Sequence, residues 1–587
     1  MRLASFVAAA LLPLACFAGS DKAILYGGTI YTAAAQGQPV TAVGISQGRI
    51  VAMGSYQQVS QTMGAEARRV HLGGHFLMPG MVDTHVHTGF AGFQQLVESL
   101  PPGLKSTAAL QGFWNKVKTS PRLRQDKVVV FSDVSLDYWD NLTLLDQFFN
   151  APAFKDQPVL LAGMDAHTGW VNQAMLRYAG LDDAALQSLD ATTAGQFARR
   201  PDGTPNGFTS EGAWDRLLGA LPPVSDDKMK QAIQLGAQTL NQFGVTAWLD
   251  PISNIRPRAP IFSRAPTRED TGLIPVYAQL AREGRLTGRV SGLALVGIHS
   301  EPGIIADVLA LQARYSGGNF RLAGIKILQD GVIESPSHTA KLSKPYQGEG
   351  SYSGSTDLDQ PRFNALIAEA DKQRLLAHFH VIGDRAVTEA LEAIAAARQQ
   401  NGGQATAPVV HSLAHLEVVN DAQMAYMGKL GVAASMQLLW AGKDPTTTSL
   451  LKEVDPALKA RLYPAGSMLR HGVLLAGGSD WPVTSPNPFE AIYTAVTRRG
   501  PLGVLEPASE RISRDDALKA YTINAATLMG MQQDIGSIAL GKRADFVLLD
   551  RNPLTVSPEQ LRRTTMLWTM LDGQQIYQRG QIRRTQP

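Results

Sequence analysis

The chain has 587 residues, which exceeds one ordinary domain and suits a barrel of roughly 250 residues or more with an accessory domain. Apolar residues make up 44% and charged residues 18%, a globular composition that argues against fibrous, disordered and membrane-embedded proteins. The net charge of +3 is small, and no run of Lys and Arg is interleaved with aromatic residues, so nucleic acid is not an expected partner.

The N-terminus predicts export. Arg2 precedes an apolar stretch over residues 3–15, and small residues follow at Ala18 and Gly19, the pattern of a signal peptide over residues 1–19. The stretch is too short to span a bilayer, so we expect no membrane span and a periplasmic or extracellular protein. The single cysteine, Cys16, is an alternative site for a lipid anchor, and otherwise the mature chain lacks thiolate ligands.

Both ends of the remaining chain predict β-structure. Residues 20–78 and 530–587 contain short alternating strands separated by glycine turns, for example around Gly48 and Gly573. We expect the two ends to pack together as one small β-sandwich domain.

The middle, residues 79–529, alternates apolar runs with helical segments, as in a parallel sheet covered on both faces. This pattern predicts an α/β fold, a (β/α)8 TIM-type barrel, with an insertion at about residues 90–224 that caps it. The predicted barrel strands are residues 77–86, 244–250, 289–296, 324–328, 375–380, 409–415, 431–436 and 473–480.

The first barrel strand ends in a His-x-His pair. Residues two apart in a strand point to the same side, so His85 and His87 can offer two imidazoles to one metal ion. A bare pair of this kind is also compatible with two histidines hydrogen-bonded in a core.

Further polar residues stand at or near the C-terminal ends of later apolar strands, where barrel enzymes place their chemistry. They are Lys326, His380, His415 and Asp480. Each has an alternative interpretation, since strand-end histidines are often structural and Gly478-Ser479-Asp480 also suits a turn that caps a helix. With His85 and His87 they make six such groups on five strands, which favours a shared metal site.

Together these segments resemble the amidohydrolase superfamily, and more closely its family 3, YtcJ-like branch, which includes N-substituted formamide deformylase. The resemblance covers nearly the whole chain after residue 19. The motifs that carry it are the His85-x-His87 pair, Asp165-Ala166-His167-Thr168-Gly169-Trp170-Val171-Asn172, residues 326–331, His380-Val381-Ile382-Gly383-Asp384, Gly478-Ser479-Asp480-Trp481-Pro482, Gly536-Ser537-Ile538 and residues 541–545.

The resemblance implies one or two divalent ions, with Zn²⁺ the expected metal. His85, His87 and Asp480 would bind one ion, His380 and His415 the second, and a carboxylated Lys326 would bridge both, since a carbamate supplies two oxygens. The alternative for Lys326 is an ion pair with a buried carboxylate such as that of Asp330.

Four other residues have open roles. His378 and His411 precede proposed ligands by an even number of residues, which is compatible with support of those ligands or with core packing. His167 and Trp170 lie in the insertion and either close over the substrate or stabilise that segment.

The expected reaction is hydrolysis of a C–N, amide-type bond of a small molecule by a metal-activated hydroxide, with Asp480 as the catalytic proton shuttle. A deaminase on the same barrel is the nearest alternative, although deaminases of this type generally show His-Ala-Gly-Glu where this chain has His380-Val381-Ile382-Gly383. A second alternative is a non-catalytic exported binding protein. A homo-oligomer is compatible with the sequence.

Overall fold

A computed structural model describes residues 22–34, 39–165, 167–261, 271–334, 337–354, 358–403 and 409–580. The predicted signal peptide, Cys16 and Ala166 of the insertion motif lie outside these residues. Within the described ranges, no helix is both long and apolar enough to cross a membrane.

The centre of the protein is an eight-stranded parallel sheet whose strands follow one another in chain order, with helices between them, which confirms the TIM-type barrel. Its strands, labelled β1 to β8, are Met81–Asp83, Val245–Asp250, Arg289–Val296, Phe320–Leu328, Leu376–Val381, Ser412–His415, Ala433–Met436 and Leu475–Gly477.

All eight predicted strands are present, with different bounds. The first prediction, residues 77–86, divides at Gly80 into Phe76–Pro79, which pairs with the C-terminal β-structure, and β1. A Cβ on Gly80 would lie 2.2 Å from Thr246 Oγ1, so the chain crosses between the two sheets where only glycine fits.

The first and last barrel strands meet at the edge that carries the polar residues. The backbone N–H of Thr84 donates to the carbonyl of Gly477 at 3.0 Å, and that of Asp480 donates to His85 at 2.7 Å. These bonds hold the segments after β1 and β8 side by side.

Helices cover the outside of the barrel because their apolar residues recur at helical spacing. In Asp384–Gln400, for example, the buried residues include Val387, Leu391 and Ile394. The helices within the barrel region are Thr88–Gln94, Asp226–Gln242, Ile274–Arg282, Ile304–Tyr315, Gln360–Lys372, Asp384–Gln400, Asp421–Leu430, Pro445–Glu453, Pro456–Lys459, Ala465–Arg470, Pro488–Thr497, Arg514–Ala520 and Ile523–Leu528.

The two chain ends form adjacent sheets. One contains Lys22–Tyr26, Ala42–Ser46, Arg49–Gly54 and Arg68–His71, and the other Thr29–Ile30, Phe76–Pro79, Phe546–Leu549, Met566–Leu571 and Gln574–Gln578. They share one hydrophobic cluster, in which Leu25 and Val43 pack with Phe546 and Trp568. The helices Tyr56–Met63 and Pro558–Arg562 accompany these strands.

Residues 98–219 form a separate unit around a seven-stranded sheet. Its strands are Glu98–Ser99, Arg124–Gln125, Val128–Val134, Val159–Gly163, Thr168–Val171, Phe197–Arg199 and Pro205–Ser210. Its α-helices are Thr107–Val117, Leu142–Phe149, Gln173–Tyr178, Asp183–Gln187, Ala191–Gly195 and Glu211–Gly219.

Candidate metal centre and substrate cavity

All six candidate ligands line one cavity of about 180 Å³ at the C-terminal ends of the barrel strands. Lys326 lies within β4 and His380 within β5, whereas His415 is the last residue of β6. His85, His87 and Asp480 follow β1 and β8 directly. The barrel thus brings together all six side chains that the sequence analysis proposed as metal ligands.

The Asp480 carboxylate is the centre of the cluster. Its Oδ1 lies 3.1 Å from His87 Nε2 and 3.5 Å from His85 Nε2, and its Oδ2 lies 3.9 Å from His415 Nδ1. Ligand atoms of His85, His415 and Asp480 all lie within 4.8 Å of one another, so these residues could hold one metal ion.

This grouping places His415 with the residues expected at the first ion. Its ring also lies 4.3 Å from the ring of His380, centroid to centroid. His415 therefore stands between the two groups of ligands that the resemblance implies. His380 Nε2 contacts the carbonyl of Gly331 at 3.1 Å, which leaves its Nδ1 for a ligand.

Burial keeps three of the proposed ligand imidazoles neutral. It lowers the pKa of His85, His380 and His415 well below the usual value, and the nearby Lys326 charge contributes to each decrease. Neutral imidazole is the form that binds metal.

Lys326 is almost completely buried, with 1% of its surface exposed. Burial lowers the pKa of its ammonium to about 7, although the nearby Asp480 carboxylate opposes this shift. The alternative ion pair with Asp330 is not formed, since Asp330 accepts backbone N–H groups of Lys341, Ile382 and Gly383.

Two ligand positions have unusual backbone conformations. His415 has a φ of 74° and Asp480 a φ of 53°, in the left-handed region that non-glycine residues seldom adopt. Such conformations cost about 1–3 kcal/mol each and occur where surrounding contacts enforce them, often at functional sites.

The carboxylate of Asp83, which the sequence analysis missed, braces this region. Its Oδ1 accepts the backbone N–H of His85 at 3.0 Å and that of Ser479 at 3.1 Å. Burial raises its pKa to about 6, against the effect of its hydrogen bonds with Ser479 and His85. Its position two residues before His85 was the available signal, because it predicts the same side of the strand.

The two additional histidines have different environments. His378 Nε2 lies 2.8 Å from His85 Nδ1, and its Nδ1 lies 2.7 Å from Ser412 Oγ. His411 instead lies 3.0 Å from Asp371, away from the cavity lining. His378 therefore supports a ligand, whereas His411 belongs to a buried network outside the site.

The insertion contributes directly to the cavity. His167 lines it, and its Nδ1 lies 3.1 Å from Glu211 Oε1. Burial lowers the pKa of His167, but Glu211 outweighs this effect and brings it to about 9. Trp170 is fully buried in the insertion, where its indole N–H donates to Asn206. His167 therefore lines the cavity, whereas Trp170 belongs to the core of the insertion.

The donor set fits a metal centre. Among the described residues, buried polar atoms without a hydrogen-bond partner include His87 Nδ1, both ring nitrogens of His415, Lys326 Nζ and Asp480 Oδ1. Unpaired buried groups of this kind are costly, and coordination of a divalent ion would satisfy several of them at once. The absence of thiolates among them favours a metal that accepts N and O ligands.

Comparisons with known proteins identify relatives that match along nearly the whole chain. The chain is 26% identical over 570 residues to YtcJ of Bacillus subtilis (strain 168), a protein assigned as an amidohydrolase, covering 95% of this chain and 100% of YtcJ. It is 25% identical to N-substituted formamide deformylase of Arthrobacter pascens, covering 95% of this chain and 98% of that enzyme.

Solved structures support the fold. An uncharacterized metal-dependent hydrolase from Pyrococcus horikoshii superposes with a TM-score of 0.71 at 21% identity, covering 92% of this chain and 99% of that one. A second, from Pyrococcus furiosus, has a TM-score of 0.68 at 22% identity, covering 91% and 100%.

A family profile provides the assignment, because it matches most of the chain, from residue 69 to residue 577. This protein belongs to the amidohydrolase family.

Proposed function

We propose that this protein is a metal-dependent hydrolase that cleaves a C–N, amide-type bond of a small molecule. The observation that carries the proposal is the convergence of His85, His87, His415 and Asp480, with His380 and Lys326 in the same cavity. A deformylase relative that covers nearly the whole chain supports the C–N bond as the target.

In this proposal His85, His87, His380, His415, Asp480 and Lys326 hold one or two divalent ions, with Zn²⁺ the expected metal. When bound, such ions lower the pKa of water to near 7 and polarise a carbonyl oxygen. The protein's own contribution is to supply neutral imidazoles and a carboxylate in fixed positions, and to exclude bulk water from them.

Asp480 is the proposed catalytic acid and base. Its Oδ1 faces His87 and His85 and, within the described chain, has no hydrogen-bond donor, so it is available to a reacting water. The carboxylate would accept the proton of the attacking water and later donate it to the nitrogen of the departing amine.

Lys326 is proposed to carry a carboxyl group on Nζ. In this reaction the neutral amine nitrogen attacks the carbon of CO₂, forming an N–C bond while one C–O π bond opens onto its oxygen, and one proton passes from the nitrogen to water. The product is an anionic carbamate, which suits a buried position among imidazoles better than an ammonium does. Support comes from the lack of a hydrogen-bond partner for Nζ among described residues.

The experiment is a screen of the purified full-length protein, loaded with Zn²⁺, against N-substituted formamides, N-acyl amines and cyclic amides, with metal content measured on the same samples. We expect carboxylic acid and amine in equal amounts, and loss of activity with a chelator. Ammonia release from a ring carbon would identify a deaminase instead, and full activity in metal-free protein would contradict the proposal.

Export is a separate part of the proposal, supported by the N-terminal pattern at residues 1–19. We expect expression in a bacterial host to yield a mature chain that begins near Gly19 or a lipidated Cys16. Mass spectrometry of the N-terminus distinguishes these products, and an intact Met1 on active cytoplasmic protein would contradict both.

A further inference from the structure

Arg258 is a cation in the substrate cavity that the mechanism does not use. It lies in the loop after β2 and lines the same cavity as His85, Lys326 and Asp480. Its φ of 65° is in the left-handed region, so the loop adopts an unfavourable conformation at this residue. Side chains at substrate-facing positions with enforced backbone conformations are candidates for a binding role.

Three neutral groups from other parts of the chain fix the guanidinium. It donates to Gln125 Oε1, and its Nη2 lies 3.3 Å from Ser132 Oγ, both in the insertion. Its Cζ lies 4.8 Å from the centre of the Phe93 ring, within cation–π distance. The charge is thus held in place without being neutralised.

No described carboxylate forms an ion pair with Arg258, and its pKa reflects this. Burial lowers that pKa to about 9, with no acidic group acting against the shift. A guanidinium remains protonated at neutral pH, so the charge stays in the cavity. Lys228, 5.3 Å from the same Phe93 ring, adds a second positive charge nearby.

Two other arginines, both buried, have acidic partners, whereas the buried Arg498 donates to backbone carbonyls. Arg289 pairs with Asp545 at 3.1 Å, and Arg398 pairs with Asp371 at 2.5 Å. His167, another cation of the cavity, has an acidic partner in Glu211, and Lys326 lies within the proposed metal centre. Arg258 is therefore a cation of the cavity wall outside the proposed metal centre, and an incoming anion would supply the charge partner that the described residues do not.

Besides Asp480, two acidic residues line the cavity, and neither forms an ion pair with Arg258. Asp165 accepts hydrogen bonds from Thr168 and from the backbone N–H of His167. Asp133 is largely exposed and forms no ion pair with Arg258. The remaining wall is mostly apolar, from residues that include Phe90, Trp214, Ile252 and Leu328.

We propose that Arg258 binds a carboxylate of the substrate, so that the hydrolysed compound is an amide with an apolar body and a free carboxylate. A guanidinium presents a planar fork of N–H donors that matches a carboxylate. Two of its five N–H groups have described acceptors, at Gln125 and Ser132. The amide part of this statement rests on the proposed function, whereas the carboxylate part rests on Arg258 alone.

The test compares acids with their methyl esters on the metal-loaded full chain. The probes are N-acetylalanine, N-acetylleucine and N-acetylphenylalanine in both enantiomers, and binding is measured by calorimetry and by initial rates. For at least one probe we expect the affinity of the acid to exceed that of its ester by at least about 10-fold, because only the acid forms a charged hydrogen bond with Arg258.

Arg258→Gln should remove this preference, lowering acid affinity about 10- to 100-fold with little effect on the ester. Arg258→Lys keeps the charge but not the planar set of N–H donors, so it should retain part of the preference for the acid. This variant replaces Arg258→Gln in the test if the glutamine variant does not fold. Arg256→Gln is the matched control, because Arg256 lies in the same loop but pairs with Asp226 at 2.5 Å and does not line this cavity.

The outcomes separate the two proposals. An acid-to-ester ratio near one in wild type, or a ratio unchanged in Arg258→Gln, would overturn carboxylate recognition even if amides are hydrolysed. A preference lost in Arg258→Gln but kept in Arg256→Gln would support it even if no amide bond is cleaved, in which case only the proposed function fails.

Discussion

His378 Nε2 lies 2.8 Å from His85 Nδ1 in the barrel interior, and both side chains are almost completely buried. His85 directs its Nε2 toward Asp480, and with a metal ion bound to that nitrogen its Nδ1 would carry the ring proton and donate it to His378 Nε2. His378 in turn directs Nδ1 to Ser412 Oγ at 2.7 Å. This chain fixes the tautomer and the orientation of a proposed metal ligand, as outer hydrogen bonds to ligand histidines generally do.

The first prediction is that His378→Asn weakens metal binding about 10- to 100-fold, because His85 loses the acceptor for its Nδ1 proton. Metal retained after dialysis against graded chelator measures this effect. His411→Asn is the control, since His411 contacts Asp371 and the backbone N–H of Ala377 rather than a ligand. That variant should lose stability with unchanged metal affinity, and equal metal retention in the two variants would refute the role given to His378.

The second prediction is that the metal-free protein loses stability below about pH 6.5. Burial, together with Lys326, lowers the pKa of His85, His378 and His380 in the folded state. Below pH ~6.5 the unfolded chain therefore binds protons that the folded chain does not. The free energy of unfolding should fall by up to about 1.4 kcal/mol per pH unit for each such histidine.

Denaturant unfolding in the presence of chelator between about pH 8 and pH 5 measures this slope. His378→Asn removes one of these groups, so its slope should be shallower by about one proton. Parallel profiles for the two proteins would show that His378 is not held neutral by the fold.

The sequence predicted the barrel and the six candidate metal ligands because both follow from local patterns. Buried parallel strands appear as apolar runs, and a polar residue at the end of such a run, such as Asp480, lies at the catalytic edge of the barrel. Strand periodicity also places His378 on the same side as His380. Strand periodicity does not predict the position of His411, because β6 begins only at Ser412 and the ring of His411 lies toward Asp371.

The other site features depend on contacts across the barrel, which no local pattern encodes. The place of His415 beside His85 and Asp480 follows from barrel closure and from its left-handed backbone. Trp440, whose ring stacks on His415 at 5.5 Å, and Arg258 both lie in segments without strand periodicity. Their positions beside the site are visible only in the folded arrangement.

The third prediction is that Lys326 carries a carboxyl group and that Lys326→Ala depletes bound metal. Native mass spectrometry of wild type should show the added mass of one CO₂, which is lost on acidification because carbamates decompose to amine and CO₂. Metal loading should increase with added bicarbonate in wild type but not in the variant.

Lys341→Ala is the matched control, since Lys341 is equally buried but pairs with Glu389 at 3.1 Å. Its loss should destabilise the protein, as removal of one member of a buried ion pair does, and leave metal content unchanged. An unmodified Lys326 in a fully metallated, active protein would defeat the prediction.

The last prediction is that Asp480→Asn damages catalysis far more than folding. Asparagine has nearly the same shape and keeps an oxygen toward His85 and His87, so the barrel should remain folded. What it loses is proton affinity, and general acid-base catalysis is typically worth about 10²- to 10⁴-fold. If the carboxylate served only as a helix cap, asparagine would replace it with little loss, and Oδ1 has no such partner among the described residues.

The measurement is kcat/KM on one confirmed substrate with metal content determined on the same samples, and Asp83→Asn is the comparison. Asp83 accepts the backbone N–H groups of His85 and Ser479 and a side-chain hydrogen bond from Ser479, which an amide oxygen also accepts, so that variant should stay within about tenfold of wild type because the energy of one hydrogen bond is near 1 kcal/mol. An Asp480→Asn protein within about threefold of wild type would exclude Asp480 as the proton shuttle, because that loss should be at least ~100-fold.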